Sequence, residues 1–268
     1  MVFGLFSKER ALQRTIEKAT NKLAQQPDRW GALEKLREDG SDEALYGLCR
    51  RFGVTAMKGV EDEQEKNWVV DVLAEMGNSY PAAEVGQTDA QREEARKKNR
   101  ERVVAALKRF MKSSEENSPS YPLRVLGKVA DRETVVATID DLLASEPPGY
   151  ARFPDRRIDI LKWFSEWKGA TDDEVLARLT PYVADFDENV RFTAIDGLAN
   201  REPEKIAGPL IDVLVRPEEE SGRIRRTVVE VLERRKVPLG ARAGEVTAML
   251  TGPLADDFKV EGAVVKKK

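Results

Sequence analysis

The chain has 268 residues, with 45 Lys and Arg against 48 Asp and Glu, so its net charge is only -3. Histidine is absent and Cys49 is the one cysteine, which excludes Ser-His-Asp and Cys-His catalysis, histidine-ligated zinc, CxxC motifs and an intramolecular disulfide. Charged residues reach 35% beside 41% apolar ones, more charge than a compact globule wants and what thin, two-layer helical stacks with wide solvated faces would use.

The apolar start, Met1–Phe6, is too short for a secretory signal or a membrane span, so the chain reads as cytoplasmic. Helical periodicity then dominates. Leu12, Ile16, Ala19 and Leu23 predict an amphipathic helix over about 7–25, capped by Ser7. Asp28 to Asp39 carries Trp30, Leu33 and Leu36 and ends at Gly40. Ser41 caps Asp42 to Phe52. Glu61 to Met76 carries Trp68, Val69, Val72 and Leu73, with Gly77 as its stop. Asn78 to Gln87 reads as a loop, and Thr88 to Lys112 as a long charged helix with an apolar second half. No long stretch alternates with period two, so no sheet is expected. This divides the chain into N-terminal helical repeats (1–77), an inserted loop and charged helix (78–118), C-terminal repeats (119–236) and a tail (237–268). In the tail, Phe258 to Val265 reads as an extended segment or a hairpin around Glu261-Gly262. Phe3, Leu5 and Phe6 are expected to fold back on the first helix pair.

A repeat emerges when the apolar ladders are aligned. Arg157, Ile160, Leu161 and Phe164 recur 34 residues later as Arg191, Ala194, Ile195 and Leu198, and again as Arg225, Val228, Val229 and Leu232. Arg29, Ala32, Leu33, Leu36 and Lys66, Val69, Val70, Leu73 fit the same template upstream. Leu123, Leu126, Gly127 and Ala130 fit it without the basic residue. Between copies lie second helices, Arg132–Ala144, Asp172–Ala184 and Pro203–Val215. One helix pair cannot bury its own apolar face, so stacked neighbours must cover it.

The segment from Thr180 to Ala199, with Pro181, Asp187, Val190, Arg191, Ala194 and Leu198, resembles a HEAT or HEAT-like repeat of the PBS-lyase type. The resemblance is strongest over 120–236, weaker over 28–77, and interrupted by 78–118. It implies an all-α, right-handed superhelix of about six helix pairs. Asp187 can cap the second helix of its unit, and the aligned Arg of each unit can bridge to acidic turn residues of its neighbour.

Asp159, Trp163 and Trp167 share a helical stripe. Some HEAT-like DNA glycosylases use Trp and Asp in this way, but packing of the two indoles in the core or at its rim explains the stripe as well. Arg156-Arg157, Arg223, Arg225-Arg226 and Arg234-Arg235-Lys236 could form a basic ridge, yet the acids among them favour solvated ion pairs. Acidic runs at 172–174 and 218–220 suit helix N-termini better than metals. Cys49, beside Arg50 and Arg51, reads as a half-buried helix residue. Neither GxxxxGK[ST] nor GxGxxG occurs. The function expected is a non-catalytic scaffold that binds a protein partner on its stacked helices, with Arg156, Asp159, Trp163, Arg223, Arg226 and Glu230 as contact residues. No catalytic group, metal or cofactor is expected, and the charge disfavours nucleic acid. The alternative is a HEAT-like enzyme, a DNA base glycosylase or a chromophore lyase.

Overall fold

The computed structural model describes residues 2–80 and 88–268, with side chains of the first stretch from residue 8 onward. The expected docking of Phe3, Leu5 and Phe6, and residues 81–87 of the expected loop, lie outside the described residues. The fold is all-helical apart from one small hairpin. It divides into two compact units, Met1–Thr138 and Ile139–Lys268.

The first unit holds α1 (Val2–Ala19), α2 (Gln26–Asp39), α3 (Asp42–Arg50), α4 (Gly59–Asn78), α5 (Asp89–Ser113) and α6 (Ser120–Val129). The division then falls within α7 (Arg132–Ser145). In the first unit α1 packs on α2 and α3, α5 packs on α3 and α4, and α6 packs on α4. Leu33, Leu36, Leu48, Leu73 and Leu107 are fully buried there. Local signals act largely as the residue types dictate. Gly40, at φ 58°, ends α2 in the left-handed conformation, and the Ser41 hydroxyl accepts from the Ala44 amide. Thr88 and Gln91 form a reciprocal capping box at the start of α5.

Two expected signals do not hold. Ser7 lies inside α1, which begins five residues earlier and ends at Ala19. Gly77 does not stop α4, which runs on to Asn78. A Cβ at Gly77 would sit 3.0 Å from Val129 Cγ1, so this glycine permits close approach of another segment rather than a turn.

The second unit continues with α8 (Asp155–Glu166), α9 (Asp172–Leu179), α10 (Glu188–Leu198), α11 (Pro203–Val215), α12 (Gly222–Arg234), α13 (Ala243–Met249) and α14 (Pro253–Asp257). The predicted helix over 172–184 is split: α9 stops at Leu179 and a 3₁₀ turn carries Pro181, which has no N–H for an α-helical bond. α8 packs on α10, α10 on α12, and α11 on both α12 and α13. The predicted stripe of α12, Ile224, Val228, Val229 and Leu232, is wholly buried. Each such side chain contributes roughly 1.5–3 kcal/mol of transfer free energy.

The absence of any sheet is corrected at the C-terminus. β1 (Phe258–Glu261) and β2 (Val264–Lys267) pair antiparallel, Glu261 opposite Val264. The two-residue connection, Gly262 at φ 63° and Ala263 at φ 59°, has the positive φ pair of a turn that matches strand twist. Phe258 and Val265 point inward, and β2 packs on α12. Four-residue strands with mixed burial carry too little alternation to be read from sequence alone.

Candidate functional site

In the second unit, the first-position Arg of the template lies three and four residues before apolar core positions. Its guanidinium therefore starts on the packing stripe, not on the solvated face. Burying it requires a paired charge. Arg157 Nη1 donates to Asp185 Oδ2 at 2.9 Å and to the Gly149 carbonyl at 2.5 Å. Arg191 Nε lies 2.9 Å from Glu219 Oε2, and its Nη1 donates to the carbonyls of Asp185 and Phe186. Both acids lie 28 residues beyond their Arg, and both carboxylates are almost wholly buried. Both bridges join an aligned Arg to an acidic residue of a later turn within the second unit. Asp187 also caps α10, accepting from the Asn189 and Val190 amides.

The named contact residues are dispersed. Arg156, expected on an exposed ridge, is 6% accessible and lies 2.8 Å from Glu146 Oε1. This corrects its assignment as a surface contact: beside Arg157 it sits at the edge of the α8 stripe, where only a paired guanidinium can be accommodated. Asp159 and Trp163 on α8 are half-buried. Trp163 stacks on Trp167 at 5.8 Å and 16°, so each indole covers one face of the other. Arg223 on α12 donates to Asn189 Oδ1 and lies over the Phe192 ring at 4.3 Å. Arg226 donates to Glu230 Oε1 and Asp257 Oδ2, both at 2.9 Å. Asp257, then Glu230, holds the Arg226 guanidinium above its ordinary pKa. Arg226 and Glu230 are exposed but neutralise each other, so they form no basic ridge.

Sequence reasoning missed the most exposed aromatic feature of this unit. Tyr150 and Phe186 are 78% and 70% accessible and meet edge to face at 5.6 Å. The Arg157–Asp185 pair lies beneath them, because Asp185 also accepts from the Gly149 amide. The loop before α8 and the turn before α10 are thereby tied together with their aromatic tips facing solvent. Tyr182 anchors the same loop by donating to the Glu146 carbonyl at 2.9 Å, and burial pushes its phenol pKa up to about 12.

The first unit repeats this device with different residues. Glu65, 0% accessible, accepts from Arg29 Nη2 at 2.8 Å and Arg51 Nε at 2.7 Å. Arg51 also donates to Asp62 and to the Val54 carbonyl, and Arg29 to the Ala24 carbonyl. Burial opposes ionisation of Asp62, yet the Lys66 ammonium, the Ala56 amide and Arg51 together hold its pKa below the usual carboxylate value. The loops so fastened carry Leu23 and Met57, and the first turn of α4 carries Val60, all strongly exposed. In both units a buried charge cluster underlies loop tips with exposed apolar side chains.

A cleft of about 510 Å³ in the first unit runs along α5 past Glu93, Lys97, Arg100 and Val104 to Val129 and Asp131. Its lining mixes both signs of charge. Cys49 is fully buried, and burial raises its thiol pKa far above the reactive range, so the adjacent arginines do not activate it. Among the described residues no three His, Cys, Asp or Glu side chains are placed to hold a metal ion, and no helix is long and apolar enough to cross a membrane. Comparison of the sequence with protein families and with curated proteins found no match.

Proposed function

We propose that the chain is a HEAT-like repeat protein, a right-handed superhelix of about six helix pairs. It acts as a non-catalytic, cytoplasmic scaffold for a protein partner. The observation that carries this reading is the pair of equivalent bridges, Arg157–Asp185 and Arg191–Glu219, each 28 residues long and set 34 residues apart. Units joined by the same bridge in the same register are what a stacked repeat requires. The partner-binding half of the reading is supported by Tyr150 and Phe186. Exposed aromatic pairs on a rigid base are costly in water and are the residue types that anchor protein interfaces.

The test is an affinity pull-down of the full chain at physiological salt, read by mass spectrometry. It compares wild type with Tyr150→Ser/Phe186→Ser and with Arg223→Ala/Arg226→Ala. The scaffold reading expects a specific partner, depleted at least about tenfold by the aromatic double variant if each ring contributes as an interface anchor. Recovery of every partner at unchanged yield from both variants would overturn it.

A further inference from the structure

The bridges at Arg157 and Arg191 have a third counterpart that lacks its acid. Arg225 occupies the same template position on α12, 34 residues after Arg191, and its Nε is occluded from solvent like those of Arg157 and Arg191. The residue 28 positions further on is Pro253, the first residue of α14, which has no side-chain acceptor. Among the described residues no ion pair joins Arg225 to a carboxylate, and its buried Nε–H has no hydrogen-bond partner. Its neighbours offer no relief. Arg226 is itself engaged with Glu230 and Asp257. The side chain remains partly exposed, so a partner can reach it.

We propose that Arg225 is an open acid-binding position, which takes an Asp or Glu carboxylate from an acidic turn of a protein partner as Asp185 and Glu219 fill the equivalent positions within the chain. The requirement is chemical. A partly buried guanidinium without the carboxylate that its two counterparts have favours an anionic acceptor, and a carboxylate matches its fork geometry. The internal examples define the shape of the occupant. Glu219 is presented by a tight turn in which its amide bonds to the Arg216 carbonyl and its carboxylate accepts from the Ser221 amide. That the acid comes from a protein rests on the scaffold reading; the open position itself rests on the comparison of three equivalent arginines.

The test uses the full chain labelled with nitrogen-15 at arginine, with the side-chain Nε–H signals followed by NMR. The probe is a blocked peptide copying Arg216–Ser221, Arg-Pro-Glu-Glu-Glu-Ser. Arg225→Gln and Arg225→Lys, compared with wild type by circular dichroism, assign the Arg225 signal. The expected result is a saturable shift of that signal, with affinity at least about tenfold lower for the peptide bearing Glu219→Gln, as for loss of one charge-assisted bond. A signal that does not move, an equal response to the Gln peptide, or an equal saturable shift with inorganic phosphate would each overturn the proposal. The two readings fail separately. A responsive Arg225 with no partner in the pull-down removes the scaffold alone, whereas partners retained without any Arg225 response remove the open position alone.

Discussion

Replacement of Glu65 by Gln tests whether the buried charge cluster of the first unit holds its loops. Glu65 is fully inaccessible and receives Arg29 through Nε at 3.0 and 3.1 Å and Nη2 at 2.8 Å, and Arg51 through Nε at 2.7 Å. Gln keeps the shape and one acceptor but removes the charge that Arg29 and Arg51 share. Removing one partner of a buried pair typically destabilises by about 3–5 kcal/mol. Arg51 retains Asp62 at 2.7 Å, and Arg29 retains Glu61 only at 3.6 Å, so the lower end, about 3 kcal/mol, is expected. Against a domain stability of roughly 5–15 kcal/mol this is a large fraction. Urea unfolding followed through Trp30 and Trp68, which contact each other at 5.3 Å in this unit, reads the effect. The surface pair Arg37–Glu75, at 3.1 Å but about half exposed on each side, is the control: Glu75→Gln should cost under ~1 kcal/mol. A loss at Glu65 no larger than at Glu75 would refute the argument that burial, and not bond count, sets the magnitude.

Arg157→Gln should destabilise the second unit by about 3 kcal/mol, because Asp185 is left buried without its cation, and amide exchange should accelerate first around Gly149 and Asp187. Unchanged protection there would contradict the bridge's role. Gly47→Ala should lower the melting temperature, since its Cβ would lie 2.7 Å from Ile16 Cγ1, a side chain with no room to move. Gly31→Ala on α2 meets nothing within 4 Å and should instead raise stability by about 0.5–1 kcal/mol. Thermal melts in which both change in the same direction would defeat the packing account. The depressed pKa of Asp62 gives a pH signature. Its folded value lies below its unfolded value, so its contribution is complete above about pH 5 and is lost as the pH falls through the folded pKa. Asp62→Asn should flatten the stability–pH curve in that acid window, and an unaltered curve would remove Asp62 from the cluster.

The helices and the 34-residue register were legible because apolar side chains recur at helical spacing and each stripe had to be buried. The charges were harder to read. Periodicity assigns Arg and Glu to solvent, yet Arg29, Arg51, Glu65, Arg156 and Arg157 are interior. A signal was present: the first template residue falls on the apolar stripe, so Arg29, Arg157 and Arg191 had to be buried or half-buried. The identity of the acid partners could not follow, because Glu65, Asp185 and Glu219 reach these arginines across 28 to 36 residues of chain. Gly77 looked like a stop because a glycine after an apolar run is ambiguous between a cap and a close approach. The candidate site shows the same limit. Arg223, Arg226 and Glu230 were readable as exposed, but the further partners of the two arginines, Asn189 for Arg223 and Asp257 for Arg226, arrive from elsewhere in the chain. Tyr150 and Phe186 lie in non-helical segments, where no periodicity reports exposure.

Cys49 gives the first unit a built-in clock. The chain has a single thiol, and the folded protein keeps it wholly inaccessible on α3. A thiol reagent can therefore label the molecule only after α3 has opened, and can label it only once. With excess reagent, the labelling rate counts opening events of this unit without an introduced probe. The same concealment leaves any cysteine added on a loop tip, beside Met57 or Tyr150 for instance, as the sole addressable handle on the native protein.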